Sequence, residues 1–356
     1  MRTTNTNTTY INSTRSRKPA TDPTDLLPML SERIVGQNSS IEAIVPYVYM
    51  YNAGLSPEGR PVGVFLLLGP TGTGKTKTVE ALAEAIHGSS RNVLRIDCGE
   101  FQLEHEVAKL IGAPPGYLGH RETTPLLTQQ KLNAVTSERS NLSLVLFDEI
   151  EKAAPSMQRL LLGVLDKAVL RLGDNTVVNF ERSIVFLTSN LGARGMSREL
   201  RPDFGFDKIV DRPKANLPKK LESIAMNAVR RKFSPEFVNR IDVVSTYYPL
   251  ERPALEKILE HQLDEFRAHI VSRLGQRAFF LELTRKAKNY LIDKGTSAEY
   301  GARELKRTVH RQLIQPVSTL VAKGQLEPCG TAHVDYKEGA DALTIRCLPE
   351  DGAMAA

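Results

Sequence analysis

One stretch of eight residues, Gly69-Pro70-Thr71-Gly72-Thr73-Gly74-Lys75-Thr76, constrains this chain more than any other. It follows the apolar run Val62 to Leu68, which is short, bounded by Pro61 and Gly69, and reads as a buried parallel strand. It precedes Lys77 to His87, where Val79, Leu82, Ala83 and Ile86 recur at helical spacing. Strand, glycine loop and helix in that order give the pattern G-x-x-x-x-G-K-[ST] its meaning as a phosphate cradle. Glycines let backbone N–H groups close around phosphate oxygens, and the helix N-terminus adds the positive end of its dipole. In such a cradle Lys75 reaches the β- and γ-phosphates of a nucleotide and the Thr76 hydroxyl holds Mg²⁺.

A second signal is Leu142-Ser143-Leu144-Val145-Leu146-Phe147-Asp148-Glu149, an apolar strand ending in two adjacent acids. Neighbouring residues at a strand terminus point different ways, so Asp148 is expected on the metal side and Glu149 as the base that orients the attacking water. Ser183 to Asn190 repeats the form with a terminal amide. Asn190 could bond the γ-phosphate or the lytic water; taken alone, a turn-forming Asn explains it better. Further strands are expected at Asn92 to Asp97 and Val243 to Tyr248, and helices at Leu26 to Leu30 and Ile41 to Tyr51. Between those helices, Ile34 and Val35 of Arg33-Ile34-Val35-Gly36-Gln37 could wall the adenine base.

Two loops carry aromatic residues with no local core to join. In Ile111 to Gly119, Gly116-Tyr117-Leu118-Gly119 sets an aromatic between glycines, and spacing alone explains a Tyr gripping a partner no better than one folded back on its own domain. Leu191 to Lys220, rich in Gly, Pro and charge, reads as a long loop around Asp203-Phe204-Gly205-Phe206, where a partner contact could use the phenylalanines. Pro249 to Pro253 reads as a domain boundary. Beyond it the pattern predicts a small α+β unit: helices at Ala254 to Leu274, Lys286 to Asp293 and Ala302 to Ala322, and strands at Phe279 to Leu283, Thr331 to Tyr336 and Leu343 to Cys347.

Composition narrows the class. At 356 residues the chain has room for about two domains. No apolar run approaches the roughly 18 residues of a membrane span, and no signal-like segment opens the chain, so a cytoplasmic protein is expected. Residues 1–22 are mostly Thr, Asn, Ser and Arg and are expected to be a disordered tail, as are residues 349–356. The Arg and Ser of the first tail resemble a transit peptide, but no amphipathic stripe accompanies them. Cys98, Cys329 and Cys347 match no zinc or redox spacing and read as free thiols. The net charge of +6 raises the question of nucleic acid, yet no aromatic-interleaved basic patch appears, and Lys219, Lys220, Arg230, Arg231 and Lys232 read as a solvated face.

Together these motifs resemble the second ATPase module of the Clp-type AAA+ protein unfoldases, such as ClpA, ClpB and ClpC. The strings that carry the resemblance are Gly69 to Thr76, Ile111 to Gly119, Phe147 to Ala153, Thr188 to Gly192, Pro235 to Asp242 and Tyr300 to Arg303, and it spans about Leu26 to Cys347. It implies an α/β fold: an AAA+ P-loop NTPase domain (residues 23–249) with a parallel five-stranded sheet flanked by helices, then a small C-terminal α+β lid (250–348). It implies ATP and Mg²⁺, with Asn190 as sensor 1, Arg303 as the sensor 2 arginine and Arg240 as an arginine finger to a neighbouring subunit of a homo-hexameric ring. Tyr117 then resembles the pore-loop tyrosine that grips substrate polypeptide.

Departures accompany the likeness. The tandem members carry an adaptor domain and a first ring that this sequence does not match. His120-Arg121-Glu122 sets basic charge beside Tyr117. Phe204-Gly205-Phe206 falls where peptidase-coupled relatives dock on a ClpP-type chamber, with a different first residue. The expected function is an ATP-driven unfoldase or disaggregase. A nucleotide-gated scaffold is the alternative, against which Glu149, Asn190, Arg240 and Arg303 argue; a nucleic-acid motor is another, against which Tyr117 argues.

Overall fold

The computed structural model describes residues 26–112, 125–200, 217–296 and 301–349. The expectations attached to the N-terminal tail, to Gly116-Tyr117-Leu118-Gly119, to His120-Arg121-Glu122, to Phe204-Gly205-Phe206 and to residues 350–356 lie outside the described residues.

The apolar runs of the first part become strands β1 (Gly63–Leu68), β2 (Leu94–Asp97), β3 (Ser143–Asp148), β6 (Ser183–Ser189) and β7 (Val243–Thr246), with β4 (Val169–Arg171) and β5 (Val177–Asn179) between β3 and β6. The five form one sheet in the order β2-β3-β6-β1-β7, every neighbouring pair parallel. A parallel sheet is covered on both faces, which is why these strands read as unbroken apolar runs. Alternate residues feed two cores: Val64, Leu66, Leu68, Val145, Phe147, Val185 and Leu187 face one, while Phe65, Leu67, Leu144, Leu146, Ile184 and Phe186 face the other. The Phe65 and Phe186 rings stack at 5.3 Å across neighbouring strands, a contact worth about 0.5–1.5 kcal/mol beyond burial.

Parallel pairing brings the C-terminal ends of the strands to one edge. Leu68 is in register with Ser189, and Phe147 with Leu187. The glycine loop after β1, the acid pair ending β3 and Asn190 after β6 therefore emerge side by side, where open α/β sheets place their ligands.

The stretch from Leu191 to Lys220 differs from the long loop expected. Ala193–Leu200 is a helix, and a second helix, Leu217–Lys232, begins inside the same stretch. The reason is Gly195, where a Cβ would come within 2.7 Å of the Ile224 side chain. That glycine admits a close helix contact, with Met196 fully buried beside it, and marks no break. The hairpin β4–β5 and the helix Pro155–Lys167 ahead of it carry weak patterns; Asn175 adopts a positive φ of 67° in the hairpin turn. The basic residues Lys219, Lys220, Arg230, Arg231 and Lys232 are exposed on their helix.

Beyond residue 250 the chain packs a third core. Helices Arg252–Leu274 and Arg285–Gly295 flank strands β8 (Phe280–Leu283), β9 (Thr331–Asp335) and β10 (Thr344–Leu348), ordered β10-β9-β8. The helix expected at 302–322 is Gly301–Val309 and Gln315–Ala322 joined by a wide π turn at His310–Ile314. The turn comes just before Pro316, which has no N–H to give to the carbonyl of Gln312. The three cysteines are free thiols, Cys98 deeply buried. Among the described residues no helix is long and apolar enough to cross a membrane.

Candidate functional site

The loop after β1 is built from glycines at positive φ, Gly69 at 143°, Gly72 at 75° and Gly74 at 105°, with Gly74 capping the helix Lys75–His87. Lys75 is buried at the start of that helix. Its Nζ donates to the carbonyls of Gly69 (2.6 Å) and Pro70 (2.8 Å) and to Asn190 Oδ1 (3.0 Å). Burial pushes its pKa down to about 8, against the opposing pull of Glu151, Asp148 and Glu149, while the Arg303 charge lowers it further. The loop is tied to β7 from beneath. Gln37 donates from Nε2 to the carbonyls of Thr73 (3.3 Å) and Tyr248 (2.9 Å), and the fully buried Tyr247 donates to Thr78 Oγ1 at 2.9 Å.

The two acids part company as their position at a strand end predicts, by an unexpected device. Asp148 closes β3, and Glu149 turns away in a left-handed conformation, φ 57°, ψ 48°. A left-handed non-glycine residue costs on the order of 1 kcal/mol or more and persists only where its surroundings hold it. Thr188, in register beside Asp148, does so: its Oγ1 accepts the Glu149 N–H at 3.0 Å and donates to Asp148 Oδ1. The other Asp148 oxygen takes a hydrogen bond from the Arg95 guanidinium. Glu149 Oε1 accepts from Asn190 Nδ2 at 3.3 Å, and Oε2 pairs with Lys152 at 2.5 Å. Asn190 is thus no mere turn residue, since its amide bridges Lys75 and Glu149.

These groups line a cavity of about 740 Å³ between the large and small units. Its floor is Thr71 to Thr76, with Asp148, Glu149, Thr188 and Asn190 at one end. The lining also includes the apolar side chains Ile34, Val35, Leu250 and Ile258, and the small unit contributes His261, Gln262, Arg303 and Lys306. The residues fit a nucleotide with Mg²⁺: cation and backbone donors for phosphate, a hydroxyl (Thr76) and a carboxylate (Asp148) for the metal, and apolar side chains for a base. Contact between the units is direct, since the N–H of Ala302 donates to the carbonyl of Gly72 at 3.1 Å. Gly301 is required there, with φ 49° and space for a Cβ only 3.0 Å from that carbonyl.

Of the expected site residues among those described, Gly69 and Pro70 reach the cavity only through Lys75, which donates to their carbonyls, and Arg240 lies away from it. Arg240 follows the short helix Pro235–Val238, donates to the Glu236 carbonyl (2.9 Å), and pairs with Glu236 (3.2 Å) and Asp166 (3.5 Å). Four participants escaped the sequence reading. Thr188 and Arg95 hold Asp148, Glu151 accepts the Asn190 backbone N–H at 3.1 Å, and Gln37 braces the loop. Thr188 and Glu151 fall within the strings Thr188 to Gly192 and Phe147 to Ala153, but only strand register reveals what they touch.

Comparison with known proteins agrees with this architecture. A family model described as "AAA domain (Cdc48 subfamily)" matches residues 60–244, and one described as the C-terminal D2-small domain of ClpB protein matches residues 250–334. "Heat shock protein 104" of Schizosaccharomyces pombe is 36% identical over 311 residues, 87% of this chain and 32% of that protein. "Chaperone protein ClpB" of Meiothermus ruber is 35% identical over 320 residues, 90% of this chain and 34% of that protein. The Saccharomyces cerevisiae Hsp104:casein complex in its extended conformation superposes with a TM-score of 0.77 at 28% identity, covering 92% of this chain and 53% of that one. The chain thus spans about a third of the length of these curated relatives and about half of the solved one. With the large module and the small domain both matched in order, the chain belongs to the AAA domain family, as a module of the Clp type.

Proposed function

We propose that this chain hydrolyses ATP with Mg²⁺ to drive the unfolding or disaggregation of protein, threading polypeptide through a homo-hexameric ring. The observation that carries the reading is the convergence of Lys75, Asp148, Glu149, Asn190 and Arg303 on one cavity between the two units. Backbone N–H groups of Gly72 to Thr76, together with Lys75, hold the β- and γ-phosphates. Thr76 and Asp148 hold Mg²⁺, which when bound neutralises charge developing between those phosphates. Glu149, fixed by the Thr188 hydroxyl, takes the proton of the attacking water, and Asn190 orients that water against the γ-phosphate. Ile34 and Val35 wall the adenine.

Arg303 rides on the small unit, so its grip on the γ-phosphate couples nucleotide state to the position of the lid, with the division falling between 23–249 and 250–348. Arg240, turned away from its own cavity, serves the neighbouring subunit's nucleotide. Tyr117, flanked by Gly116, Leu118 and Gly119, grips the threaded chain. The casein complex of the similar Hsp104 supports a polypeptide substrate, and the sequence character supports a cytoplasmic location. Phe204-Gly205-Phe206 is the segment through which a ClpP-type peptidase would dock, tested by a pull-down in ATP. The central test measures ATPase rate with an unfolded polypeptide and separately with DNA. Stimulation by polypeptide alone is expected, and stimulation by DNA alone would overturn the reading.

A further inference from the structure

One carboxylate close to Glu149 and Asn190 does not itself line the cavity. Glu151 sits in the tight turn Ile150–Lys152, which begins where Glu149 leaves β3 in its left-handed conformation. That turn carries the chain away from β6: the last residues of the two strands in register are Phe147 and Leu187, while β6 runs on to Ser189. On its other side β6 ends its ladder by giving the Ser189 carbonyl to the N–H of Gly69 at 3.2 Å. The Asn190 N–H therefore lies beyond both ladders, and Glu151 Oε1 accepts it at 3.1 Å.

The arrangement is reciprocal. Thr188 of β6 holds the main-chain N–H of Glu149, and Glu151 beyond β3 holds the main-chain N–H of Asn190, so each residue is fixed by a side chain from the other's strand end. The Asn190 amide closes the figure, with Lys75 donating to its Oδ1 and its Nδ2 donating to Glu149. The bond to Asn190 is the only one the Glu151 side chain makes among the described residues, and Oε2 is buried without a partner. Burying a carboxylate against a single N–H costs stability, so a role in folding alone accounts for it poorly. After burial, the strongest influence on the Lys75 ammonium is the Glu151 charge, ahead of Asp148, Arg303 and Glu149, which sets the group close behind the site.

We infer that Glu151 is a positioning residue for hydrolysis, its carboxylate fixing the Asn190 main chain so that the Asn190 amide meets Lys75 and Glu149 in the geometry that orients the attacking water. The inference rests on the proposed hydrolytic site and adds to it the group that aims Asn190. Its signature is reach. An amide of the same length can accept the same N–H, whereas a carboxylate one methylene shorter keeps the charge and falls short of the bond. Misplacing a catalytic group by about 1 Å can cost about 10²-fold in rate.

The test separates reach from charge on the full chain. Measured are kcat for ATP and, by calorimetry, affinity for a non-hydrolysable ATP analogue. The variants are Glu151→Asp, which keeps charge and loses reach, and Glu151→Gln, which does the opposite, with Glu151→Ala as a second short variant should the aspartate variant fail to fold. The short variant is expected to lose at least about tenfold in kcat with analogue affinity within about threefold of the parent, and the glutamine variant to recover most of that loss. In an Asn190→Ala background the short variant is expected to cost less than about threefold, because the group it would aim is gone. Parent-like kcat in the short variant overturns the inference. So does a loss that Glu151→Gln shares in full, which would make charge the cause, a loss undiminished by Asn190→Ala, or a fall in affinity matching the fall in kcat, which would mark Glu151 as structural alone. If the parent hydrolyses no ATP at any concentration, the proposed function falls and this inference with it.

Discussion

Lys75 offers the sharpest quantitative test, because its surroundings move its proton into an accessible range. With a pKa brought down to about 8 by burial, the ammonium is about nine-tenths protonated at pH 7 but only about a quarter protonated at pH 8.5. Triphosphate placed against the loop favours the charged form, so binding must draw a proton in. The expected uptake is about 0.1 proton at pH 7, rising to about three-quarters of a proton at pH 8.5, and affinity should fall about tenfold by pH 9. Titration calorimetry in two buffers of different ionisation enthalpy reads that uptake directly.

Stability carries the same signature with a defined sign. The group is charged in both states below pH 8, where the folded state bears the full burden of about 3 kcal/mol against an unfolded pKa near 10.4. Between pH 8 and 10.4 the unfolded chain binds more protons, so stability contributed by Lys75 rises with pH across that window. Denaturant midpoints of the parent should show this rise relative to Lys75→Met. No proton uptake at pH 8.5, together with parallel stability profiles for parent and variant, would refute the claim that burial depresses the Lys75 ammonium.

Glu149→Gln should leave ATP binding intact and lower turnover by about 10²–10⁴, and turnover at the parent rate would show that the base has been misassigned. Thr188→Val keeps the shape of the side chain but leaves the Glu149 N–H unpaired; the expected loss is about 1–3 kcal/mol in denaturant unfolding, with kcat falling more than nucleotide affinity, and an unchanged kcat would remove Thr188 from the site. Specific ATPase activity should rise with protein concentration, and Arg240→Ala should flatten that rise at a low rate, since a finger in trans is worth about 10³–10⁵ in turnover. Constant activity down to monomeric dilution would exclude that role.

Much of the nucleotide site was legible because local chemistry enforces it. A phosphate loop needs its glycines and lysine contiguous, and a strand buried on both faces must be apolar until it reaches the acids at its end, so Gly69 to Thr76 and Asp148-Glu149 stand out from the chain around them. Thr188 and Arg95 could not be read in this way. Their partner Asp148 is remote in sequence, and the pairing follows from which strands lie side by side and in what register. The helix Ala193–Leu200 was obscured by the reverse effect, because glycine punctuates a sequence equally whether it ends a helix or makes room for a neighbouring one.

The donor to the carbonyl of Gly72 is the main-chain N–H of Ala302, so exchanging the side chain at 302 leaves the bond in place, whereas Gly72 (φ 75°) and Gly301 (φ 49°) hold backbone that other residues adopt only with strain. The junction between the small unit and the glycine loop is therefore indifferent to the side chain at 302 but not to the two glycines beside it. Removing the donor itself takes an imino acid at residue 302, a position in the first helical turn where the fold would tolerate one. That makes this junction a place where the contact between the small unit and the glycine loop can be weakened without adding or removing a charge at the cavity.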